Sequence, residues 1–549
     1  MSRITLHFSG NKTAEVIAGS VVRDFIDYFE QDAESVVAVR FNNEICSLSQ
    51  KIEVSGFLEP VFLTDTDGSS VYRRTLCFVL AAAAHELFPD NHLIVGHSLG
   101  YSYYYTMDDA TLTDDNLQQL QQKMAEIIDA NLCINQTTLS YNDTVTLLDK
   151  LGLTDAKKQL HYRCKSQYII NNLRNFSDLY FGPLLPSTGK LTCFSLLKYG
   201  EGFLLQFPTT ADPTTVAHFE DIPQLFNVYK RYKQWGKTLG VTSVVSLNEM
   251  IFNQTIKDFI NITETLQNKC IADIADTIHN TPEIKVVLIA GPSSSGKTTT
   301  SKKLSMQLQV LGYKPNIIEL DTYYVGREKT PKNEKGEYDY ECLEALDVAQ
   351  LNKDIIDLFN GKEINVPAYD FVDGKRYDSG KKMTLHKNDI LILEGIHGLN
   401  DKLTALIPAK NKFKLYLSAL TQLNLDNRNR IPTGDNRLIR RIVRDYRFRG
   451  KSASATIKMW ENVHRGERLH IFPFQNNANV MLNTALDYEL AVLKTYAEPL
   501  LRCVTPLEPE YAEASRLLRF LENFSALPAH FVPGQSLIRE FIGGSEFKY

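Results

Sequence analysis

The chain has 549 residues, of which 43% are hydrophobic and 23% are charged, and its formal net charge is −5. Such a length exceeds what one hydrophobic core supports and predicts about three domains. The small negative charge argues against a protein that coats nucleic acid, although it leaves a local contact with RNA open. No stretch approaches about 20 uninterrupted apolar residues, and the N-terminus lacks the apolar segment of a signal peptide. The eight cysteines are scattered, so we expect reduced thiols, a cytoplasmic protein and no membrane contact.

Residues 1–65 are predicted to form a small mixed domain. Two hairpins, over residues 4–17 and 36–48, flank a predicted helix over residues 21–29 with Ser20 as its N-cap. The stretch Ala-Val-Arg-Phe-Asn-Asn-Glu-Ile at residues 38–45 resembles part of the TGS domain, a β-grasp module. The resemblance implies a structural or docking role for this domain.

Residues 66–245 form a second predicted α+β unit. Placed after a TGS-like domain, it resembles the editing domain of threonyl-tRNA synthetases, and residues 178–186 look like the second signature segment of that domain. That family carries two histidines in its first helix and a cysteine and a histidine in the second segment. The four positions aligned with them here are Phe78, Ala82, Tyr180 and Leu184. The resemblance therefore implies a retained fold without zinc-binding or hydrolytic editing chemistry.

Other polar and aromatic residues of this unit receive ordinary interpretations. His85, His92 and His97 match no standard metal-ligand spacing, so we interpret them as solvated or hydrogen-bonded histidines. The tyrosine-rich run at residues 101–105 alternates like a strand and is interpreted as core packing. Stacking of these rings on RNA bases is the alternative.

A phosphate-binding loop is predicted at residues 291–298. A β-branched apolar run at residues 286–290 leads into Gly-x-x-x-x-Gly-Lys-Thr, and a helical pattern follows. The glycines let the backbone curl so that its N–H groups, with the positive end of the helix dipole, point at phosphate oxygens. Lys297 is expected to reach the terminal phosphates, and the Thr298 hydroxyl is expected to help hold Mg²⁺. The predicted ATP-contacting residues of the loop are Gly291, Ser293, Ser294, Ser295, Gly296, Lys297, Thr298 and Thr299.

An acid follows the next predicted strand. Residues 316–320, Asn-Ile-Ile-Glu-Leu, are predicted to form this strand, and Asp321 comes directly after them. Because ligands sit at the carboxyl ends of strands in open parallel sheets, Asp321 should face the phosphates. A carboxylate there can ligate Mg²⁺ or accept a proton from an attacking hydroxyl. An acid that merely caps the next helix is the alternative.

Several later segments resemble uridine kinases of the phosphoribulokinase and uridine kinase family. They lie, in the order of that family, at residues 321–324, 339–347, 366–376, 389–395 and 437–450. The resemblance implies a doubly wound parallel α/β kinase domain over residues 283–490, ATP and Mg²⁺ as cofactors, and a nucleoside as substrate. A helical connector over residues 246–282 is predicted before it, and a C-terminal helix with an irregular tail over residues 491–549 after it.

The resemblance also implies roles for individual residues. Asp321 would orient or deprotonate the 5′-hydroxyl of the nucleoside, and Glu394 would assist Thr298 and Asp321 with the metal. Arg441 and Arg444 would clamp the phosphates when a lid closes, and Arg449 would contact ATP. The implied nucleoside pocket consists of Tyr324, Tyr340, Glu341, Tyr369, Arg376 and Arg441.

The lid segment is also interpretable without the family. Four arginines recur at the i, i+3, i+4 and i+7 positions of one helical face. They are Arg437, Arg440, Arg441 and Arg444. Guanidinium groups suit the charge of a transferring phosphoryl group, so we interpret this face as phosphate-binding. A solvated basic face is the alternative.

Two departures from the family limit the functional prediction. Gly374 stands where the family has a histidine that contacts the base, and Lys451 replaces an arginine of the lid. A lost base contact leaves the base open, with uridine or cytidine as the leading substrate and a purine or modified nucleoside as the alternative. The predicted function is an ATP-dependent nucleoside kinase. The rivals are a kinase of another small hydroxyl compound and a regulatory NTPase that docks on RNA or the ribosome; an oligomer is compatible with each.

Overall fold

The structure is a computed structural model, and it describes residues 2–29, 33–108, 112–334, 336–370 and 373–548. Its first region contains β1 (Arg3–Phe8), β2 (Thr13–Ile17), β3 (Ser20–Val21), β4 (Val36–Phe41), β5 (Glu44–Cys46), β6 (Lys51–Ile52) and β7 (Gly56–Phe62). Five of these strands form one sheet in the order β2-β1-β7-β4-β5, in which β1 and β7 run parallel. This mixed sheet confirms the predicted β-grasp fold.

The predicted α-helix over residues 21–29 is wrong in type and in its cap. The structure has a 3-10 segment, Val22–Tyr28, preceded by Val21 without a side-chain cap. Ser20 instead pairs with Ile52 as part of β3, and its hydroxyl donates to the carbonyl of Ile17 at 2.7 Å. Ser20 thus lies in a strand one residue before the N-cap position of the 3-10 segment, which Val21 occupies, so its side chain does not cap that segment.

The second region combines one long buried helix with two antiparallel sheets. Its elements are α1 (Thr66–Leu87), β8 (Leu93–Ser98), β9 (Ser102–Met107), α2 (Asp114–Asp129), β10 (Asn135–Ser140), α3 (Tyr141–Lys150), α4 (Thr154–Arg163), β11 (Gln167–Leu173), β12 (Phe176–Asp178), β13 (Ser195–Tyr199), β14 (Gly202–Gln206) and α5 (Pro223–Leu239). The sheets have the orders β13-β14-β9-β8 and β10-β11-β12. Tyr104 and Tyr105 of β9 are buried, as core packing requires.

The four positions aligned with editing ligands meet in the core of this region. Phe78, Ala82, Tyr180 and Leu184 are all buried in one apolar cluster. The rings of Phe78 and Tyr180 lie edge to face, with their centroids 5.4 Å apart. Such a pair is a packing contact between apolar ring surfaces. These positions therefore hold the core of the region together.

The third region contains a parallel sheet surrounded by helices. Its elements are α6 (Val244–Phe252), α7 (Ile256–His279), β15 (Val286–Ala290), α8 (Lys297–Val310), β16 (Lys314–Glu319), α9 (Val348–Phe359), β17 (Ile364–Asp370), β18 (Lys375–Met383), β19 (Asp389–Glu394), β20 (Lys412–Ser418), α10 (Thr433–Arg449), α11 (Ala453–His470), β21 (Val480–Asn483), α12 (Glu489–Leu501), α13 (Tyr511–Leu521) and α14 (Arg539–Ile542). The sheet order is β16-β19-β15-β20-β21, and all four ladders are parallel. β17 and β18 form a separate hairpin.

Both faces of the parallel sheet are covered. Along β15, Val286 and Leu288 enter a core shared with α9, whereas Val287 and Ile289 enter a core shared with α7 and α8. A parallel sheet buried on both faces is the doubly wound arrangement predicted from the sequence. The fold class is therefore confirmed, and the loop after β15 lies at the carboxyl end of the central strand.

A third core joins segments that are far apart in the sequence. It contains residues of α6, α7, α10, α11, α12, α13 and α14. The tail predicted to be irregular is therefore packed into the molecule, with Leu537, Ile538 and Phe541 fully buried. The predicted domain boundaries stay predictions. Within the described ranges, none of the helices has the length and apolar character that a membrane crossing needs.

Candidate active site

The loop between β15 and α8 is shaped by close approaches of its backbone. Gly296, directly before α8, has a φ of +81°, a conformation that L side chains rarely adopt. A Cβ on Gly291 would lie 2.5 Å from the carbonyl oxygen of Leu417 on β20, so a larger residue does not fit there. The amide groups of the first turn of α8 lack helical acceptors and can donate to an anion. The local geometry is that of a phosphate-binding loop.

Three carboxyl groups gather where two neighbouring strands end. Glu319 and Glu394 are the last residues of β16 and β19 and are paired in register. Asp321 follows in the 3-10 turn Leu320–Tyr323. The Thr298 hydroxyl donates to Glu394 at 3.3 Å. The structure thus brings together the groups predicted to act on the metal and the hydroxyl.

The environment of these acids favours their protonated forms. Desolvation raises the pKa of Glu394 to about 8; Lys297 opposes this rise, and the negative charges of Asp321 and Glu319 add to it. Asp321 is an exposed residue, yet desolvation by the surrounding protein still raises the pKa of its carboxyl group, against the positive charge of Lys297. Each of these acids disfavours the ionised form of the others, and a bound cation would stabilise the ionised forms.

The oxygen atoms at this position fit Mg²⁺. Thr298 and Glu394 supply the hard oxygen ligands that this ion prefers. Among the residues that the structure describes, no three acidic, histidine or cysteine side chains are grouped to hold a metal by themselves. Mg²⁺ commonly takes one or two protein ligands and completes its shell with phosphate and water oxygens.

The residues predicted to bind the nucleoside form an aromatic cluster near Asp321. The ring of Tyr324 lies edge to face with those of Tyr340 and Tyr369, at centroid distances of 5.7 and 5.3 Å. Glu341 packs against α11, where a Cβ on Gly466 would come within 2.5 Å of its Cβ. Desolvation raises the pKa of Glu341 to about 7, and the charge of Arg441 opposes this rise.

Not every predicted nucleoside contact lies in that cluster. Arg376 pairs at 2.9 Å with Asp347, the N-cap of α9, so its guanidinium is engaged at the edge of the hairpin. Gly374 has a φ of +68°, and a Cβ there would lie 2.7 Å from Nε of Arg327. Phe371 and Val372, in the same predicted segment, lie outside the described residues.

The arginines of α10 divide into two kinds, and the first kind is structural. Arg437 pairs with Glu467 at 2.7 Å, and Nε of Arg440 pairs with Glu489 at 3.2 Å. Arg440 also donates to the carbonyl of Ser294 at 3.1 Å. These buried guanidinium groups tie α10 to the loop. The interpretation of a single phosphate-binding stripe therefore does not hold for Arg437 and Arg440.

The second kind of arginine borders the cleft. Arg441 donates to the hydroxyl of Ser293 at 2.5 Å and pairs with Asp445 at 3.2 Å. Arg449 also pairs with Asp445, at 3.2 Å, and its side chain is 48% exposed. Burial lowers the pKa of Arg444 to about 10, which leaves its guanidinium charged at neutral pH. Arg441 therefore contacts the loop directly, Arg444 is linked to its helix through Glu540, and Arg449 is linked to Arg441 through Asp445.

Two acidic residues at the loop were missed from the sequence. Glu467 of α11 accepts from the amide of Ser293 at 3.2 Å. Glu540 of α14 accepts from both the amide and the hydroxyl of Thr299, at 3.3 and 2.7 Å. In the sequence, Glu467 is 174 residues from Ser293 and Glu540 is 241 residues from Thr299. Tertiary packing brings both acids to the loop, so no local sequence pattern marks them.

The segment 424–430 connects this site to the editing-like region. Arg428 pairs with Asp178 at 2.8 Å and lies over the ring of Phe176, 4.9 Å from its centroid. Arg430 lies over the ring of Tyr103 at the same distance, 4.9 Å. This segment therefore covers the side of the editing-like core that contains β12 and β9.

Comparisons with known proteins divide the chain in the same way. The family model "PRK: Phosphoribulokinase / Uridine kinase family" matches residues 286–490. A uridine kinase of Macrococcus caseolyticus is 33% identical over 181 residues, which are 33% of this chain and 78% of that protein. A threonine–tRNA ligase of Pelobacter propionicus is 26% identical over 200 residues, 36% of this chain and 31% of the ligase. The chain thus spans less than a third of the length of that ligase.

One solved structure is described as a possible uridine kinase from Bacillus stearothermophilus. It is 18% identical, the match covers 36% of this chain and 89% of that one, and the TM-score is 0.24.

Proposed function

Because residues 286–490 make this chain a member of the phosphoribulokinase and uridine kinase family, we propose that it transfers the γ-phosphoryl group of ATP to the 5′-hydroxyl of a nucleoside. One observation carries the proposal: Thr298, Asp321 and Glu394 meet at the carboxyl end of a parallel sheet, beside a phosphate-binding loop and a tyrosine cluster. A nucleotide and a second, aromatic substrate would therefore face each other across Asp321.

In the proposed reaction, the 5′-oxygen of the nucleoside attacks the γ-phosphorus while the bond from that phosphorus to the β–γ bridging oxygen breaks. ADP leaves, and the hydroxyl proton passes to Asp321. The raised pKa of Asp321 makes its carboxylate a stronger base than an ordinary aspartate. Lys297 and the loop amides hold the phosphates, and most of the rate comes from positioning and charge stabilisation.

The metal would be held by Thr298 and Glu394. When bound, Mg²⁺ neutralises charge on the β- and γ-phosphates. Arg441 and Arg444 border the same loop and would add positive charge at the transferring group. Arg449, half exposed, would contact ATP from the end of α10.

We propose a pyrimidine nucleoside, uridine or cytidine, as the acceptor. The aromatic cluster of Tyr324, Tyr340 and Tyr369 supplies ring faces for a base, and Glu341 supplies a carboxylate for ribose hydroxyls. A purine nucleoside is the alternative because Gly374 offers no side chain to a base edge.

An RNA contact through the N-terminal half is a second proposal, supported by the resemblance to threonine–tRNA ligases. Arg428 and Arg430 pack on aromatic rings of the editing-like region. Because they cover that face, they argue against binding of an RNA end there. The resemblance to these ligases makes an RNA-stimulated NTPase the rival function that the assay has to test.

The test is ADP release from ATP and Mg²⁺ with a panel of nucleosides, with and without tRNA. We expect turnover that depends on a pyrimidine nucleoside, is lost in Asp321→Asn and persists in the matched surface variant Asp378→Asn. Hydrolysis that tRNA stimulates and nucleosides do not affect would contradict the kinase proposal. Undiminished pyrimidine turnover in Asp321→Asn would remove Asp321 as the base.

A further inference from the structure

The C-terminal segment, residues 533–548, forms part of the wall of the phosphate loop. Its residues Leu537, Ile538 and Phe541 are fully buried in the core that also contains α10 and α12. Leu537 lies so close to the loop that a Cβ on Gly296 would come within 2.6 Å of its side chain. The backbone of this segment is therefore fixed beside the loop by core packing.

From this fixed segment, Glu540 contacts the start of α8. One carboxylate oxygen, Oε2, accepts from the Thr299 hydroxyl at 2.7 Å and from the Thr299 amide at 3.3 Å. That amide belongs to the first turn of α8, where N–H groups have no helical acceptor and attract anions. In a phosphate-binding loop such groups hold phosphate oxygens. The carboxylate oxygen thus uses donors that a nucleotide would use.

The other oxygen of Glu540 has a separate partner. Oε1 lies 3.4 Å from Nη1 of Arg444. Arg444 also lies over the ring of Phe541, 5.9 Å from its centroid, which keeps the guanidinium beside α14. A rotation of the Glu540 side chain can therefore release Thr299 while its charge stays paired with Arg444.

We propose that Glu540 is a residue of the nucleotide site that competes with the phosphates of ATP for the Thr299 donors and so lowers the affinity for ATP. This inference rests on the proposed function of the loop as an ATP site. Without nucleotide, the carboxylate satisfies Thr299. When ATP binds, a phosphate oxygen takes the amide and the hydroxyl, and Glu540 turns to Arg444. The remaining repulsion between carboxylate and phosphate weakens binding.

The first test compares ATP affinity without nucleoside in the full chain and in Glu540→Gln. Glutamine keeps the size and an acceptor oxygen but removes the charge, so we expect ATP to bind about tenfold more tightly. The matched control is Glu546→Gln, an exposed acid of the same segment, which should leave the Kd unchanged. Equal or weaker ATP binding by Glu540→Gln with an unchanged Tm would overturn the inference.

The second test needs no variant and serves if Glu540→Gln fails to fold. A crystal structure of the wild-type chain with a non-hydrolysable ATP analogue should show Glu540 more than about 3.5 Å from the Thr299 amide and still paired with Arg444. Glu540 still bonded to Thr299 beside a bound analogue would contradict the inference.

These results are separable from a failure of the proposed function. If nucleosides are not phosphorylated but Glu540→Gln binds ATP more tightly, only the nucleoside-kinase proposal fails. If neither protein binds ATP, both fail.

Discussion

The editing-like region and the kinase region differ in what occupies the positions where related enzymes carry their chemistry. In the editing-like region these positions hold apolar and aromatic side chains, with Phe78 and Tyr180 packed ring to ring. In the kinase region Asp321 and Glu394 remain carboxyl groups although desolvation disfavours their charge. Burying a ring stabilises a fold, whereas desolvating a charged group costs free energy. At the positions where related enzymes carry their chemistry, the kinase region keeps such costly groups and the editing-like region does not, which places the expected chemistry in the kinase region.

Removal of one polar group from each region should have very different effects on catalysis. Asp321→Asn should lower kcat for nucleoside phosphorylation by about 10²–10⁴-fold, because the general base is lost while the shape is kept. Tyr180→Phe, which removes a buried hydroxyl from the editing-like core, should leave kcat unchanged. Steady-state kinetics with both substrates saturating measures the two effects. A comparable loss in both variants would contradict the contrast between the regions.

Buried charge in the kinase region should also matter for stability. Arg440→Met leaves Glu489 buried and unpaired, and we expect it to lower the free energy of unfolding by about 3–5 kcal/mol. Urea denaturation followed by tryptophan fluorescence and circular dichroism measures the change. Arg3→Met is the control, since it breaks an exposed pair with Glu15 and should cost at most about 1 kcal/mol. A loss of unfolding free energy no larger than that of the control would show that Arg440 does not stabilise the fold.

In the editing-like region, the free energy of unfolding should depend on apolar packing. Phe78→Ala opens a cavity beside Tyr180 and should lower the free energy of unfolding by about 3–5 kcal/mol. The kcat of the kinase reaction, measured well below the unfolding temperature, should stay within about twofold of the wild type. A drop in kcat without a drop in stability would instead give this region a part in the reaction.

The sequence predicts the local features of the site and misses the non-local ones. The loop at residues 291–298 is recognisable because a strand, a turn and a helix follow one another there, and Asp321 because it directly follows a predicted strand. The sequence does not distinguish Arg440 from Arg444, because the helical period places both on one face and only their tertiary partners differ. Glu540 was missed for the same reason, since its contact with Thr299 depends on how the tail folds back.

One buried histidine in each region should have a smaller effect, on how stability depends on pH. Desolvation, with the charge of Arg430, lowers the pKa of His97 to about 3. Desolvation, with the charge of His470, lowers that of His397 to about 4. Below the ordinary value of about 6.5 only the unfolded chain takes up these protons, so stability is lost as the pH falls. Of the two interpretations given for His97, the solvated one is wrong, because the side chain is buried.

The measurement is denaturation at pH 7.5 and pH 5.5. Each histidine should contribute about 1.4 kcal/mol to the stability lost between them. His97→Phe and His397→Phe should each reduce that loss by this amount, and the double variant by twice as much. An unchanged pH dependence in either variant would show that the histidine it replaces titrates normally.

Identification of the reaction products shows directly whether the protein phosphorylates a nucleoside. The wild-type chain is incubated with ATP, Mg²⁺ and either uridine or cytidine, and the nucleotides are separated and weighed by mass spectrometry. We predict one nucleoside 5′-monophosphate for each ADP formed, and little ADP without nucleoside. ADP formed at the same rate with and without nucleoside, and no nucleoside monophosphate, would contradict the assignment of the site to nucleoside phosphorylation.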